Sequence, residues 1–145
     1  MCITLQSPIA TSKPSITFYE INTQTVKDEL EELGIEIPMG LWDSSYYYTT
    51  QWGIEEAVAY CRKIYDFPTY ESQKMDCDDF AILMKGLISA EFGINACAIA
   101  LGDVPQGYHA YNIARTEDGW VMIEPQTGEV FEFGGNSYEC DRAVL

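Results

Sequence analysis

The segment 76–92 constrains the fold more than any other, because its apolar residues recur at the spacing of a helix. Gly93 follows directly, and glycine commonly ends helices. A helix with a broad apolar stripe has to be buried against another layer of the protein. The sequence therefore predicts a central, buried helix over 76–92, with a stripe formed by Phe80, Leu83, Met84, Leu87 and Ile88.

The chain changes character after Gly93, where strand patterns replace helical ones. Turn signals such as GDVPQG, EDG and QTG separate four predicted strands, at 96–101, 108–115, 120–124 and 129–133. Two shorter helices are predicted before the central one, at 25–33 and 54–65. Helices followed by an antiparallel sheet define an α+β fold.

One domain over 1–145 is the expected organisation, since a chain of this length can bury roughly two-thirds of its unfolded surface. Residues 1–23 are predicted to form an extended arm with a short strand at 16–21. The aromatic segment 38–53 is predicted to be a loop, with its rings either lining a groove or anchoring the core.

Charge excludes several classes of partner. Twenty-three acidic residues against eight basic ones leave a formal charge of -15, which repels both nucleic acid and anionic membranes. No CxxC pair accompanies the single histidine, which argues against zinc. No export signal or membrane span is visible, so a cytoplasmic, reducing location is expected, with the five cysteines as free thiols.

Three residues are candidates for an activated thiol. Cys77 lies at the start of the central helix, where unpaired N–H groups stabilise a thiolate. His109 lies in the strand pattern GYHAYNIA, and Glu124 ends the next strand, WVMIE. The short turn RTEDG makes these strands hairpin neighbours, so Glu124 is expected to pair with His109. Together the three residues predict a Cys-His-Glu triad.

The sequence at this point resembles a known family. The stretches DCDDFAILMKGLISAEFGINACAIALG, GYHAYNIA and DGWVMIEPQTG look like the core of transglutaminase-like, papain-fold cysteine enzymes, over about 76–128. Within that superfamily they are most similar to the calcium-dependent protease domain of fungal agglutinins. The resemblance implies a papain-like core, catalytic roles for Cys77, His109 and Glu124, assistance by Gln126, and calcium ligation by Asp78 and Asp79.

Calcium has a separate electrostatic argument. Asp76, Asp78 and Asp79 flank Cys77, and their negative charge opposes a thiolate unless a divalent cation offsets it. The alternative is that Asp76 caps the helix while the other two acids favour its first turn. Both interpretations stay open.

The predicted function is a cysteine hydrolase that cleaves peptide or amide bonds through a thioester, with Gln126 or Gln73 and the Cys77 N–H holding the oxyanion. A protein or peptide would be its substrate. The alternatives are an acyl transferase of the transglutaminase type, a binding module that has kept the fold without turnover, and a calcium-binding structural protein.

Overall fold

The computed structural model describes residues 12–145, and the part of the predicted arm at 1–11 lies outside them. The elements alternate between helices and short strands in the first half of the chain and are strands in the second half. In chain order they are β1 (Phe18–Asn22), α1 (Thr23–Glu32), β2 (Ser45–Thr49), α2 (Gln51–Ile64), α3 (Cys77–Phe92), β3 (Cys97–Val104), β4 (Gly107–Thr116), β5 (Gly119–Glu124), β6 (Glu129–Glu132), a 3₁₀ turn (Gly135–Ser137) and β7 (Arg142–Val144).

The predicted central helix is α3, and its boundaries follow from the sequence. Asp76 precedes it in an extended conformation, and its N–H donates to Asp79 Oδ2 over 3.3 Å, as in a capping box. Gly93 ends it with φ of 67°, in the left-handed region that glycine adopts at little cost. Four residues of the apolar stripe are buried and Leu83 is half-buried, whereas Ile82 on the opposite side is 54% exposed.

The antiparallel prediction is confirmed by a five-stranded sheet in the order β6-β5-β4-β3-β7, in which every pair is antiparallel. Strand β4 lies at its centre and is covered on both faces. Helices α2 and α3 pack on the face that carries Ala114, Val121 and Ile123. Helix α1 and the β1–β2 ribbon pack on the face that carries Tyr111, Ile113 and Met122. The fold class is therefore α+β, as predicted.

The sequence analysis did not predict two of the strands. The segment predicted as an aromatic loop contains β2, which pairs antiparallel with β1 and buries Tyr46 to 1% exposure. Its rings divide between core and surface, since Trp42 and Trp52 are 69% and 55% exposed. The other strand, β7, has only three residues and pairs with β3, which is distant from it in sequence. No local sequence pattern indicates this pairing. Such short edge strands carry too few residues for alternation to be visible.

Within residues 12–145, no helix combines the length and hydropathy that crossing a membrane requires.

We expect Ile88→Ala to lower the free energy of unfolding by about 2 to 5 kcal/mol, because it leaves a cavity between α3 and the sheet. The matched control is Ile82→Ala on the exposed side of the same helix, which should change stability by less than about 1 kcal/mol. Urea unfolding followed by circular dichroism measures both. Equal losses would contradict the packing of α3 described above.

Candidate functional site

Glu124 is the polar centre of the best-defined site in residues 12–145. Its carboxylate accepts three hydrogen bonds: His109 Nε2 and the Tyr138 hydroxyl donate to Oε2 over 2.8 and 2.9 Å, and the Gln126 N–H donates to Oε1 over 3.1 Å. Glu124 is only 8% exposed. A carboxylate so far from water is stable only when such donors replace its hydration.

The electrostatics of Glu124 favour its charged form. Burial alone would raise the pKa of this carboxyl, but hydrogen bonds from His109, Gln126 and Tyr138 outweigh it and hold the pKa below its usual value of 4.5. Burial, together with the hydrogen bond to Glu124, raises the pKa of Tyr138 to about 12. At neutral pH the site therefore contains a carboxylate and an un-ionised phenol.

The β4–β5 hairpin brings His109 and Glu124 together, as the short turn between these strands predicts. Asn112 of β4 pairs with Ile123 of β5, so Glu124 follows beside the part of β4 that carries His109. Both side chains lie on the Tyr111 face of the sheet, where the imidazole stacks on the Tyr111 ring with centroids 6.2 Å apart. The strand pairing thus accounts for the His109–Glu124 contact.

A cleft of about 400 Å³ opens beside this pair. Its lining residues, of which all but Val104 carry a polar group in the side chain, come from the β3–β4 turn, the end of β5 and the segment after the 3₁₀ turn: Val104, Gln106, His109, Glu124, Gln126, Thr127 and Tyr138. The turn that carries Gln126 is held from α2, because Arg62 Nη1 donates to the Pro125 carbonyl over 2.5 Å. The turn at the edge of the cleft is thus fixed by Arg62, and the buried, hydrogen-bonded Glu124 lies at its base.

Cys77 starts α3, as predicted, and is half-buried. The hydrogen bonds among residues 12–145 include none between its Sγ and His109, and Cys77 is not among the residues that line the His109 cleft. Helix α3 packs on the opposite face of the sheet from the one on which His109 stacks. The structure therefore brings together His109, Glu124 and Gln126 and leaves Cys77 outside their hydrogen-bonded cluster.

The acids beside Cys77 form a second, smaller group. Ligand atoms of Asp76, Cys77 and Asp78 lie within 4.8 Å of one another, while Asp79 caps the helix. A hydrogen bond between the two carboxyl groups lowers the pKa of Asp76 and raises that of Asp78. The N–H of Gln73, an alternative oxyanion residue, donates to Asp76 over 3.1 Å and lies with this group.

Tyr138 and Gln106 are site residues that the sequence analysis missed. Tyr138 comes 14 residues after Glu124 in sequence, and it reaches the carboxylate only because the chain turns back after β6. Gln106 lies in the turn between β3 and β4, inside the turn signal GDVPQG. That signal marks the turn without indicating which of its side chains faces the cleft.

Comparison with known proteins gives the fold and little else. No family model matches the chain, and no curated protein matches its sequence. Two similar solved structures are PSL1a in complex with E64 and the Polyporus squamosus lectin bound to the epitope Neu5Acα2-6Galβ1-4GlcNAc. Their TM-scores are 0.68 and 0.63, with 22% and 20% sequence identity over 87% of this chain. The chain spans about half of their length, 51% and 49%.

These findings correct the predicted assignment. Membership of the transglutaminase-like family has no support from any family model, and the similar structures include one described as a lectin. The predicted cysteine peptidase or amidase, its acyl-transferase alternative and its peptide substrate are corrected with it. The prediction joined Cys77 to His109 by the order of their elements and by the resemblance of their motifs, and the hydrogen bonds of residues 12–145 include the His109–Glu124 contact but none between the thiol and His109.

We expect Glu124→Gln to lower the free energy of unfolding by about 1 to 3 kcal/mol near neutral pH, because a charged acceptor of three hydrogen bonds is lost. The folded pKa of Glu124 lies below its unfolded value, so its contribution exists above the unfolded pKa and disappears as pH falls through the folded pKa. The difference between wild type and Glu124→Gln should therefore shrink on acidification. Urea unfolding at about pH 7 and about pH 3 measures it.

The control for this experiment is Glu32→Gln, which changes an exposed carboxyl at the end of α1. It should leave the pH dependence of stability close to that of wild type. A Glu124→Gln deficit of the same size at both pH values would rule out the ionised, hydrogen-bonded state described for Glu124.

Proposed function

We propose that this chain is a ligand-binding domain and that its ligand occupies the cleft around His109. The observation that carries the proposal is the buried Glu124 carboxylate with its three donors, beside a 400 Å³ cleft. Volumes of this size suit small-molecule sites, in which a few fixed polar groups orient the ligand.

A neutral saccharide is the ligand class that the lining favours. Gln106, Gln126 and Thr127 offer both donors and acceptors, which suits a ligand rich in hydroxyl groups. Tyr138 adds an aromatic ring to the lining, and the apolar C–H face of a sugar packs well on the face of such a ring. The formal charge of -15 and the ionised Glu124 disfavour an anionic ligand. The similar lectin, described with a glycan epitope, supports the same class.

The experiment is an NMR titration of the uniformly labelled protein with the disaccharide Galβ1-4GlcNAc, the neutral part of that epitope. We expect shifts confined to cleft residues, and binding about fivefold weaker in Gln126→Ala, because one hydrogen bond is lost. Gln24→Ala on α1 is the matched control and should bind like wild type. The sialylated trisaccharide should bind more weakly than the disaccharide, because its carboxylate approaches Glu124.

Three results would overturn parts of this proposal. Shifts outside the cleft would reject the site, and tighter binding of the sialylated trisaccharide would reject the electrostatic argument. A separate titration with E64 distinguishes the site from the ligand class. If E64 shifts the cleft resonances and the disaccharide shifts none, the cleft is a ligand site but a saccharide is the wrong ligand.

A calcium site at the start of α3 is a second part of the proposal. Asp76 and Asp78 supply the hard carboxylate oxygens that Ca²⁺ prefers, with water completing the coordination, and Asp79 adjoins them. The sulfur of Cys77 is a poor calcium ligand, so the thiol stays outside the coordination shell. The carboxyl groups of Asp76 and Asp78 lie close enough to repel each other when both are ionised, and a cation bound between them would offset that repulsion.

We expect isothermal titration calorimetry with Ca²⁺ to give saturable heat in wild type and none in Asp78→Asn. The control is Asp66→Asn, which removes one exposed carboxylate in the segment after α2 and reduces the net negative charge by the same amount. If the heat persists in Asp78→Asn, or is lost equally in Asp66→Asn, calcium binds non-specifically through the overall negative charge and has no site at these residues.

We also propose that the fold has a papain-like core. The packing of α3 against an antiparallel sheet supports it.

A further inference from the structure

We infer that Tyr138 is a positioning residue of the cleft, which holds the Glu124 carboxylate so that His109 presents Nδ1 as a hydrogen-bond acceptor. The inference deepens the proposed function, because it names what the site offers a ligand. It depends first on how firmly Tyr138 itself is held.

Three aromatic rings hold the Tyr138 ring in place. Its centroid lies 5.1 Å from that of Phe131, 5.1 Å from that of Tyr111 and 6.1 Å from that of His109, each at 71° to 89° between ring planes. Edge-to-face contacts of this kind fix both the position and the tilt of a ring. The Tyr138 N–H also donates to the Gly135 carbonyl over 3.0 Å, which closes the turn. These contacts therefore hold the Tyr138 hydroxyl in a fixed position beside Glu124.

The Tyr138 hydroxyl and His109 Nε2 both contact the same oxygen, Glu124 Oε2. The Gln126 N–H occupies the other oxygen, Oε1. With both oxygens engaged from three directions, the carboxylate cannot rotate without breaking a hydrogen bond to a charged group, and such bonds are stronger than neutral ones. Tyr138 thus keeps Oε2 directed at the imidazole.

The protonation of Glu124 then decides the tautomer of His109. Because the pKa of Glu124 is lowered, its carboxylate is ionised at neutral pH and can only accept hydrogen bonds. The proton of the neutral imidazole must accordingly be on Nε2, and Nδ1 carries a lone pair. Within residues 12–145, Nδ1 makes no hydrogen bond, while His109 lines the cleft.

A ligand that meets this arrangement has to donate a hydrogen bond. A saccharide hydroxyl or an amide N–H satisfies Nδ1, whereas a carboxylate or phosphate meets only lone pairs there. Gln126 and Gln106, whose amides both donate and accept, tolerate either kind of group. His109 is therefore the residue that distinguishes ligand groups that donate hydrogen bonds from those that only accept them. Glu124 and Tyr138 act indirectly, by fixing the tautomer of His109.

The single histidine makes the test direct, because an imidazole spectrum of this chain contains one residue. The protein is labelled with ¹⁵N-histidine, and the ligand-free spectra are recorded at a pH where the imidazole is neutral. We expect wild type to show one protonated nitrogen, Nε2, and one unprotonated nitrogen, Nδ1. In Tyr138→Phe the two resonances should move toward each other, and in Glu124→Gln they should move further, as both tautomers become populated.

Tyr108→Phe is the matched control. It removes the hydroxyl of an exposed tyrosine directly before His109 in sequence, and the hydrogen bonds of residues 12–145 include none from that hydroxyl. Its imidazole spectrum should match wild type. A wild-type spectrum with the proton on Nδ1 overturns the inference without any variant, and an unchanged tautomer in Tyr138→Phe overturns the role of Tyr138.

This readout is independent of the saccharide titration, because it uses no ligand. A correct tautomer pattern together with no disaccharide binding rejects the proposed ligand and keeps the positioning role. Disaccharide binding together with an unchanged Tyr138→Phe spectrum keeps the proposed ligand and rejects the positioning role of Tyr138. Where both hold, Tyr138→Phe should also weaken Galβ1-4GlcNAc binding, by about tenfold, because an acceptor to the ligand is no longer fixed.

Discussion

Coverage of β4 on both faces is the constraint on which the rest of the structure depends. A strand between two layers has no access to water along its middle, so its side chains there must be apolar or internally hydrogen-bonded. Asn112 illustrates the rule, because its amide donates to the carbonyls of Ala81 in α3 and Ala98 in β3. Its Oδ1 is the one buried side-chain polar atom in residues 12–145 with no hydrogen-bond partner. The first residues of β4 are less covered, since Gly107 and Tyr108 are exposed, and the half-buried His109 lies at this end of the strand.

The site is an ordered cluster of donors around one carboxylate. Glu124 would be costly at 8% exposure if it were alone, and its partners come from three places in the chain: β4, the turn after β5 and the segment after the 3₁₀ turn. A comparable network lies at the other end of the same face of the β4–β5 hairpin, where Glu29 of α1 accepts hydrogen bonds from Arg115 and Trp120. In both cases a carboxylate ties a separate segment to the central hairpin. The acidic composition therefore has structural uses as well as a surface one.

Much of the fold could be predicted from particular residues. The stripe of α3, the Gly93 stop and the turn signals between strands are local features, so the order of elements after residue 76 followed from them. The His109–Glu124 contact was also predictable, because a short turn forces the two strands to be neighbours. Strand β2 was missed because its aromatic residues gave no alternation, and its pairing with β1 depends on contacts across α1. The relation of Cys77 to His109 was out of reach for the same reason, since nothing local decides which face of a doubly covered sheet a side chain occupies.

Residues close in the chain, or composition alone, specify the acidic charge, the order of α3 and the strands that follow it, and the pairing of His109 with Glu124. The path of the whole chain adds Tyr138 to the Glu124 cluster, brings Gln106 and Gln126 to one cleft, and puts α3 on the face of the sheet away from the His109 ring. These relations join segments separated by loops whose path no local pattern encodes. The physical reason is that a strand exposes alternate residues to opposite faces, and the layers that cover those faces are chosen by packing of the whole chain.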